Sequence, residues 1–333
     1  MTGRERVRRA LRFERPDRAP RELWTLPGVP MFHQADLTAV LGRFPQDFTA
    51  PEYTYGPGRL ARGTPNVVGT YVDEWGCPFR VAEPGVVGEV KAPPLARWAD
   101  LDRLRPPDDI LTGADLSRVN PGCGATDLFV KAPTTIRPFE RMQFLRGTEN
   151  LFMDLAWGTG EAVRLRDIVH EFYLRELELW LRTDVDGIAF MDDWGTQTAT
   201  LVSPALWRSF FKPLYADYVA RIHAAGKFAF FHSDGHILPL LADLVEVGVD
   251  ALNAQLFCMD IEEVGRRFKG RITFWGEIDR QWVLPFGSPS DVAAAVRRVR
   301  SALDDGTGGV IAECEWGMNT PRANIESVFE AWL

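Results

Sequence analysis

The sequence predicts an α/β fold, a single (β/α)8 barrel of the TIM type, and three observations predict it. From Leu128 to the carboxyl terminus, short apolar runs rich in β-formers alternate with amphipathic stretches of helix length, the rhythm that βαβ units require. Five consecutive runs end in polar, chemistry-bearing residues, as the strands of an α/β barrel do at their shared mouth. No GxGxxG loop follows an early strand, so the open dinucleotide-binding sheet that competes with a barrel lacks its signature. The length of 333 residues, with 46% hydrophobic and 25% charged residues, fits one such domain, because α/β barrels run past about 200 residues as one unit.

Taken in order, the elements begin at Thr2-Gly3-Arg4-Glu5, a capping box that opens a helix through about Phe13. Residues 16–121 carry many Pro and Gly, with strand-like patches at Arg21–Leu26 and Val67–Val72. Residues 1–127 therefore supply the amino-terminal helix, the first strands and the rim loops of a domain spanning 1–333. The regular half offers strands at Leu128–Ala132, Gly187–Met191, Lys227–Phe231, Asp250–Asn253, Arg271–Trp275 and Gly309–Ala312. Helices lie between them at Ser203–Ala225, with Ser203 as N-cap and Pro204 behind it, and at Ser290–Leu303, which stops near Gly306. The glycines from Gly306 to Gly309 precede a strand instead of opening a helix, so they read as a turn and not as a phosphate cradle.

Bulk chemistry narrows the function. A net charge of -8 without a basic block lacks the footprint of a nucleic-acid binder. No stretch approaches the roughly 18 uninterrupted apolar residues of a membrane span, and the Arg-rich amino terminus has no apolar leader core. A cytoplasmic enzyme with a small-molecule substrate is expected, and a homodimer stays open. Cys77, Cys123, Cys258 and Cys314 lie far apart with no CxxC pair, which suits reduced thiols.

The candidate site collects where the strands give out. The ends read Asp192-Asp193-Trp194, His232-Ser233-Asp234, Asn253-Ala254-Gln255, Gly276-Glu277-Ile278-Asp279 and Glu313-Cys314-Glu315-Trp316. Converging on one mouth, they place Asp193, Glu277 and Glu315 as catalytic candidates. Asp192, Trp194, Asn253, Gln255, Trp275 and Trp316 are the candidates for contacting substrate. The three tryptophans would wall a pocket for a flat ring or a methylated cation, and an acidic, aromatic mouth favours a neutral or cationic substrate. Arg137 follows the Leu128–Ala132 strand closely enough to grip a carboxylate with both guanidinium nitrogens. Arg141 and Arg146 are expected outside that pocket or paired with Glu140 and Glu149.

The chain resembles the uroporphyrinogen decarboxylase superfamily over nearly its whole length. The opening Arg4-Glu5-Arg6-Val7 with Ala10-Leu11 and Arg15-Pro16-Asp17-Arg18-Ala19-Pro20 carries the likeness. So do His232-Ser233-Asp234-Gly235, Gly248-Val249-Asp250-Ala251-Leu252-Asn253, Thr320-Pro321 and Asn324-Ile325. The superfamily joins cofactor-independent decarboxylases to zinc methyltransferases that move a methyl group between a corrinoid protein and a thiol such as coenzyme M. The methyltransferase branch has a His-x-Cys motif, a Glu after the next strand and a Cys near the last. The matching positions here read His232-x-Asp234, Gln255 and Cys314.

The resemblance thus implies a metal set of His232, Asp234 and Cys314, completed by Glu277 or Glu315. Zinc takes such ligands; with one thiolate replaced by a carboxylate, Fe2+, Mn2+ or no metal stays open. The implied activity is metal-assisted methyl transfer to or from a small thiol or methylated small molecule, with a corrinoid protein as partner. The alternative is a cofactor-independent decarboxylase of a small acid, in which Asp192 or Asp193 stabilises a protonated intermediate. The Arg-containing segment typical of true uroporphyrinogen decarboxylases is missing near the amino terminus, which disfavours that polyacid as substrate.

Overall fold

The computed structural model describes residues 1–333, which divide into two compact units. The first comprises Met1–Pro51, Cys123–Pro133 and Val185–Leu333; the second comprises Glu52–Gly122 and Thr134–Asp184.

The first unit holds eight strands: β1 (Arg21–Thr25), β2 (Phe48–Thr49), β3 (Phe129–Pro133), β4 (Gly187–Met191), β5 (Phe228–Ser233), β6 (Ala251–Ala254), β7 (Thr273–Trp275) and β8 (Val310–Trp316). All neighbours pair in parallel, in an order that runs from β2 through β3 to β8 and on to β1. The remaining seam, between β1 and β2, is held by Asp47. Its N–H donates to the Arg21 carbonyl at 3.0 Å, and its carboxylate accepts from the Arg21 N–H at 2.7 Å. The eight parallel strands with helices between them form a nearly closed (β/α)8 barrel.

Six of the strands coincide with the alternating runs of the sequence to within a few residues. Arg21–Thr25 supplies β1 as read, but Val67–Val72 does not enter the barrel. The missing strand is Phe48–Thr49, too short to show any period. The stretch Ser203–Ala225 is two helices, Pro204–Phe210 and Lys212–Ala224, because Pro213 has no N–H to continue the first. Ser203 caps the first of them by accepting from Leu206 N–H at 3.2 Å.

The floor of the barrel is closed by the amino-terminal helix Gly3–Leu11. Thr2 accepts from Glu5 N–H as expected, but the Glu5 carboxylate pairs with Arg9 instead of returning the bond. The helix face of Val7 and Leu11 packs on Phe48, Phe129, Phe230, Ala251, Trp275 and Ile311. Backbone bonds from Arg4 to Asp127 and from Gly309 to Ala10 fix it against the chain just before β3 and β8. Burying one large apolar side chain contributes about 1.5–3 kcal/mol, so this cluster anchors the helix.

The second unit is built on the long helix Gly160–Leu181 and an antiparallel sheet of Gly69–Val72, Pro78–Val81 and Glu89–Val90. Arg141 and Arg146 are buried structural cations. Arg141 pairs with Asp73 and Glu74, while Arg146 binds Asp154 at 2.7 Å and the carbonyls of Leu95 and Ala96. Asp73 in turn accepts from Trp75 and Cys77 N–H, fixing the hairpin turn. No helix of the chain is long and apolar enough to cross a membrane.

Candidate metal centre

The ends of β4 and β5 touch because two glycines let them. Gly195 N–H donates to the Asp234 carbonyl at 3.0 Å, and a Cβ on Gly235 would lie 2.3 Å from the Gly195 backbone. That approach lays Asp193 beside Asp234, whose N–H donates to Asp193 Oδ1 at 2.9 Å. His232, on β5 opposite Met191 and Asn253 in register, points Nε2 between the two carboxylates, 3.5 Å from Asp193 Oδ1 and 3.4 Å from Asp234 Oδ1. Ligand atoms of Asp193, His232 and Asp234 all lie within 4.8 Å of one another.

Around this group the ends of β6, β7 and β8 supply further polar side chains. His232 Nδ1 is 2.6 Å from Asn253 Oδ1, and Asn253 Nδ2 donates to the Trp275 carbonyl at 2.6 Å and to Glu313 Oε2 at 3.0 Å. Arg280 bridges the acids: it binds Asp234 and Glu315 through its two terminal nitrogens and lies 3.6 Å from Glu277 Oε2. Gln255 Oε1 accepts from Gly235 N–H at 3.0 Å. A cavity of about 110 Å³ beside these groups is lined by Gln255, Glu277 and Arg280 together with Cys258 and Trp282. Beneath them, Lys131 binds both oxygens of Glu22 and sits 3.7 Å from the centre of the Trp275 ring. Trp24 packs at 5.4 Å on the His232 ring.

Electrostatics follow from this crowding of acids. Burial opposes a charge on His232, but Asp193, Asp234 and Glu277 outweigh it and push the imidazole up to about 9. Burial likewise works against the Asp193 carboxylate, and the neighbouring His232, the Asp234 N–H and Arg280 hold it below the usual range. Burial pushes Glu277 up to about 7 against the pull of Arg280 and His232, and drives Glu313 well above the ordinary carboxylate range with Glu277 and Glu22 adding to it. Asp234 Oδ1, Glu277 Oε1 and Glu313 Oε1 are buried and take part in no hydrogen bond.

Of the residues singled out in the sequence, Asp193, His232, Asp234, Asn253, Gln255, Glu277 and Glu315 are brought together, and Trp275 joins them through its carbonyl. The remaining candidates have other partners. Cys314 lies between Glu313 and Glu315 on β8, so strand alternation turns its thiol to the opposite face. It is fully buried, and burial raises it far above the ordinary thiol range. It is absent from the ligand group, where Asp193 stands as the third member. Asp192 Oδ2 accepts from the Tyr215 hydroxyl at 2.5 Å, and that hydroxyl oxygen in turn accepts from Trp194 Nε1 at 3.1 Å. Trp316 Nε1 donates to the Thr320 carbonyl, and Trp275 Nε1 to Glu22. Arg137 belongs to the second unit, where it lies 3.7 Å from Glu140.

Sequence reasoning missed Arg280, Glu22, Lys131, Trp24 and Glu313 as site residues. Glu313 stood in a quoted motif, and alternation with Cys314 could have exposed it. Arg280 stands on a loop after β7, where alternation no longer says where a side chain goes.

No curated protein sequence matches the chain. Among solved structures, a methyltransferase from Methanosarcina mazei superposes with a TM-score of 0.73 at 16% identity, covering 100% of this chain and 98% of that one. A glycosylated endo-beta-1,4-xylanase from Gloeophyllum trabeum reaches a TM-score of only 0.49 at 13% identity, covering 99% of each chain. The family described as uroporphyrinogen decarboxylase (URO-D) matches residues 68–332. That match spans β3 to β8 and with them every member of the Asp193–His232–Asp234 group, and the chain therefore belongs to the uroporphyrinogen decarboxylase family.

Proposed function

We propose that the chain is a metal-dependent methyltransferase of the cytoplasm, acting on a small thiol or methylated small molecule with a corrinoid protein as methyl-carrying partner. The observation that carries this reading is the convergence of Asp193, His232 and Asp234, with Asp234 Oδ1 buried and lacking any hydrogen bond. One imidazole and two carboxylates are a donor set for zinc, and equally for Fe2+ or Mn2+. The likeness to a methyltransferase, the family membership and four cysteines that form no disulfide, as suits a reducing compartment, support the rest.

In this reading Asp193, His232 and Asp234 hold the ion, with Glu277 as the further carboxylate in reach of the group. A divalent cation held by these three side chains would supply Lewis acidity, which lowers the pKa of a thiol from its free value of about 8.5. Arg280 keeps Asp234 and Glu315 fixed and offsets their mutual repulsion. Glu277, near neutrality, is matched to take the thiol proton on Oε1. The cavity lined by Gln255, Cys258 and Trp282 receives the rest of the substrate.

A second reading has one observation in its favour: a Glu277 carboxyl raised to about 7 could equally protonate the carbanion left by loss of carbon dioxide from a small acid. The experiment that separates the two is metal analysis of protein purified without chelator. About one zinc, iron or manganese per chain is expected, lost in His232→Ala and Asp193→Ala and retained in Cys314→Ser. A metal-free parent that releases carbon dioxide from a carboxylic acid would establish the second reading instead.

A further inference from the structure

We propose that Asn253 and Glu313 are positioning residues that fix the proton of His232 on Nδ1, so that Nε2 is the nitrogen offered to an ion. The inference deepens the metal reading and rests on it for its functional meaning. Its geometry is independent of any ion.

Both hydrogens of the Asn253 amide are committed, one to the Trp275 carbonyl at 2.6 Å and one to Glu313 Oε2 at 3.0 Å. Those acceptors fix which end of the amide faces His232: Oδ1, at 2.6 Å from Nδ1. A carbonyl oxygen can only accept, so Nδ1 must carry the proton. Nε2 is then the ring atom left pointing at Asp193 and Asp234. Metal-bound histidines usually have their other nitrogen tied to a carboxylate or carbonyl in this way, and loss of the tie costs about 10- to 100-fold in affinity.

Glu313 acts one step further out. It touches neither the ring nor the ligand carboxylates, and it holds Asn253 against rotation. The chain makes room for it at Gly276, where φ is +67° and a Cβ would fall 2.0 Å from Glu313 Oε2. Asn253 and Glu313 are 0% and 1% exposed, so water does not compete for these bonds. The tie therefore joins the ends of β5, β6 and β8 through side chains and reaches β7 through the Trp275 backbone carbonyl.

The test uses the whole chain, 15N-labelled at histidine, with Zn2+ as the added probe. In the parent, His232 should show a slowly exchanging Nδ1–H signal. Asn253→Ala and Glu313→Ala should lose it and bind Zn2+ about 10- to 100-fold more weakly in chelator competition. Glu313→Gln keeps an oxygen that accepts from Asn253 and should restore both readouts, a rescue that a merely structural role would not give. A parent without the protected Nδ1–H overturns the inference, with no variant needed. So does a folded Asn253→Ala or Glu313→Ala variant with the parent's signal and affinity. If the parent and Glu313→Gln show the Nδ1–H signal, Asn253→Ala and Glu313→Ala lose it, and the parent binds no Zn2+, the proton assignment stands and the metal reading falls.

Discussion

Gly235 shows how a residue with no side chain decides the chemistry of its neighbours. Its φ is +78° and a Cβ there would meet the Gly195 backbone at 2.3 Å, so alanine would need both a disfavoured backbone and a wider gap between the ends of β4 and β5. Gly235→Ala should cost about 1–3 kcal/mol of stability and release any ion held between Asp193 and Asp234. Urea denaturation with metal analysis checks both; an alanine variant as stable and as metal-rich as the parent refutes the account. At this scale the sequence revealed a good deal. His232 and Asp234 could be paired because two residues apart on one strand means the same side. Asp193 was recognisable as a mouth residue but not as a ligand, because its place beside Asp234 depends on register between strands separated by a helical connection. Cys314 was drawn into the metal set by family likeness, while the alternation of β8 turns it away from Glu313 and Glu315.

Elements carry a pH dependence that is separate from the site. His223, in the last turn of the helix Lys212–Ala224, lies 2.8 Å from Asp250 at the entry to β6, and Asp250 also accepts from Ala229 N–H in β5. The hydrogen bond to Asp250 raises His223 above 6.5 against the opposing effect of burial. Because the folded value is the higher one, the contribution is fully present below about pH 6.5 and disappears as pH rises through the raised value. The stability difference between the parent and His223→Gln should therefore shrink between pH 6 and pH 9. Chemical denaturation across that range measures it, and a difference that grows with pH would show the sign to be wrong. Lys212–Ala224 itself was read as part of one long helix: periodicity continues through Phe211 and Lys212, and only the missing N–H of Pro213 interrupts it. β2 escaped notice for the opposite reason, since two residues have no period to see.

The whole barrel depends on Asp47, which stands at the seam that no strand pairing closes. Its buried carboxylate binds Arg6 at 2.5 Å, Arg18 at 2.7 Å and the Arg21 N–H. Removing it leaves the buried Arg6 guanidinium to the more exposed Asp17 alone and unties β1 from β2, so Asp47→Ala should cost about 3 kcal/mol, the lower end for breaking a buried pair. Thermal and urea unfolding would report this, and a near-neutral variant would mean the seam is held by other contacts. The barrel was legible from Leu128 onward because each strand is followed by a helix that buries it. It was not legible before that point, where the chain leaves the first unit after β2 for the Pro-rich and Gly-rich residues 52–122. It leaves again after β3, for residues 134–184, and both excursions belong to the second unit.

Trp24 has a consequence for how the centre can be watched. Its ring lies 5.4 Å from the imidazole of His232 and edge-on to Trp275 at 4.7 Å, within range for an imidazolium to quench indole emission. Uptake of an ion by the proposed centre would therefore be readable in the ultraviolet glow of the native chain, with a Trp24→Phe protein as the blank for the remaining indoles.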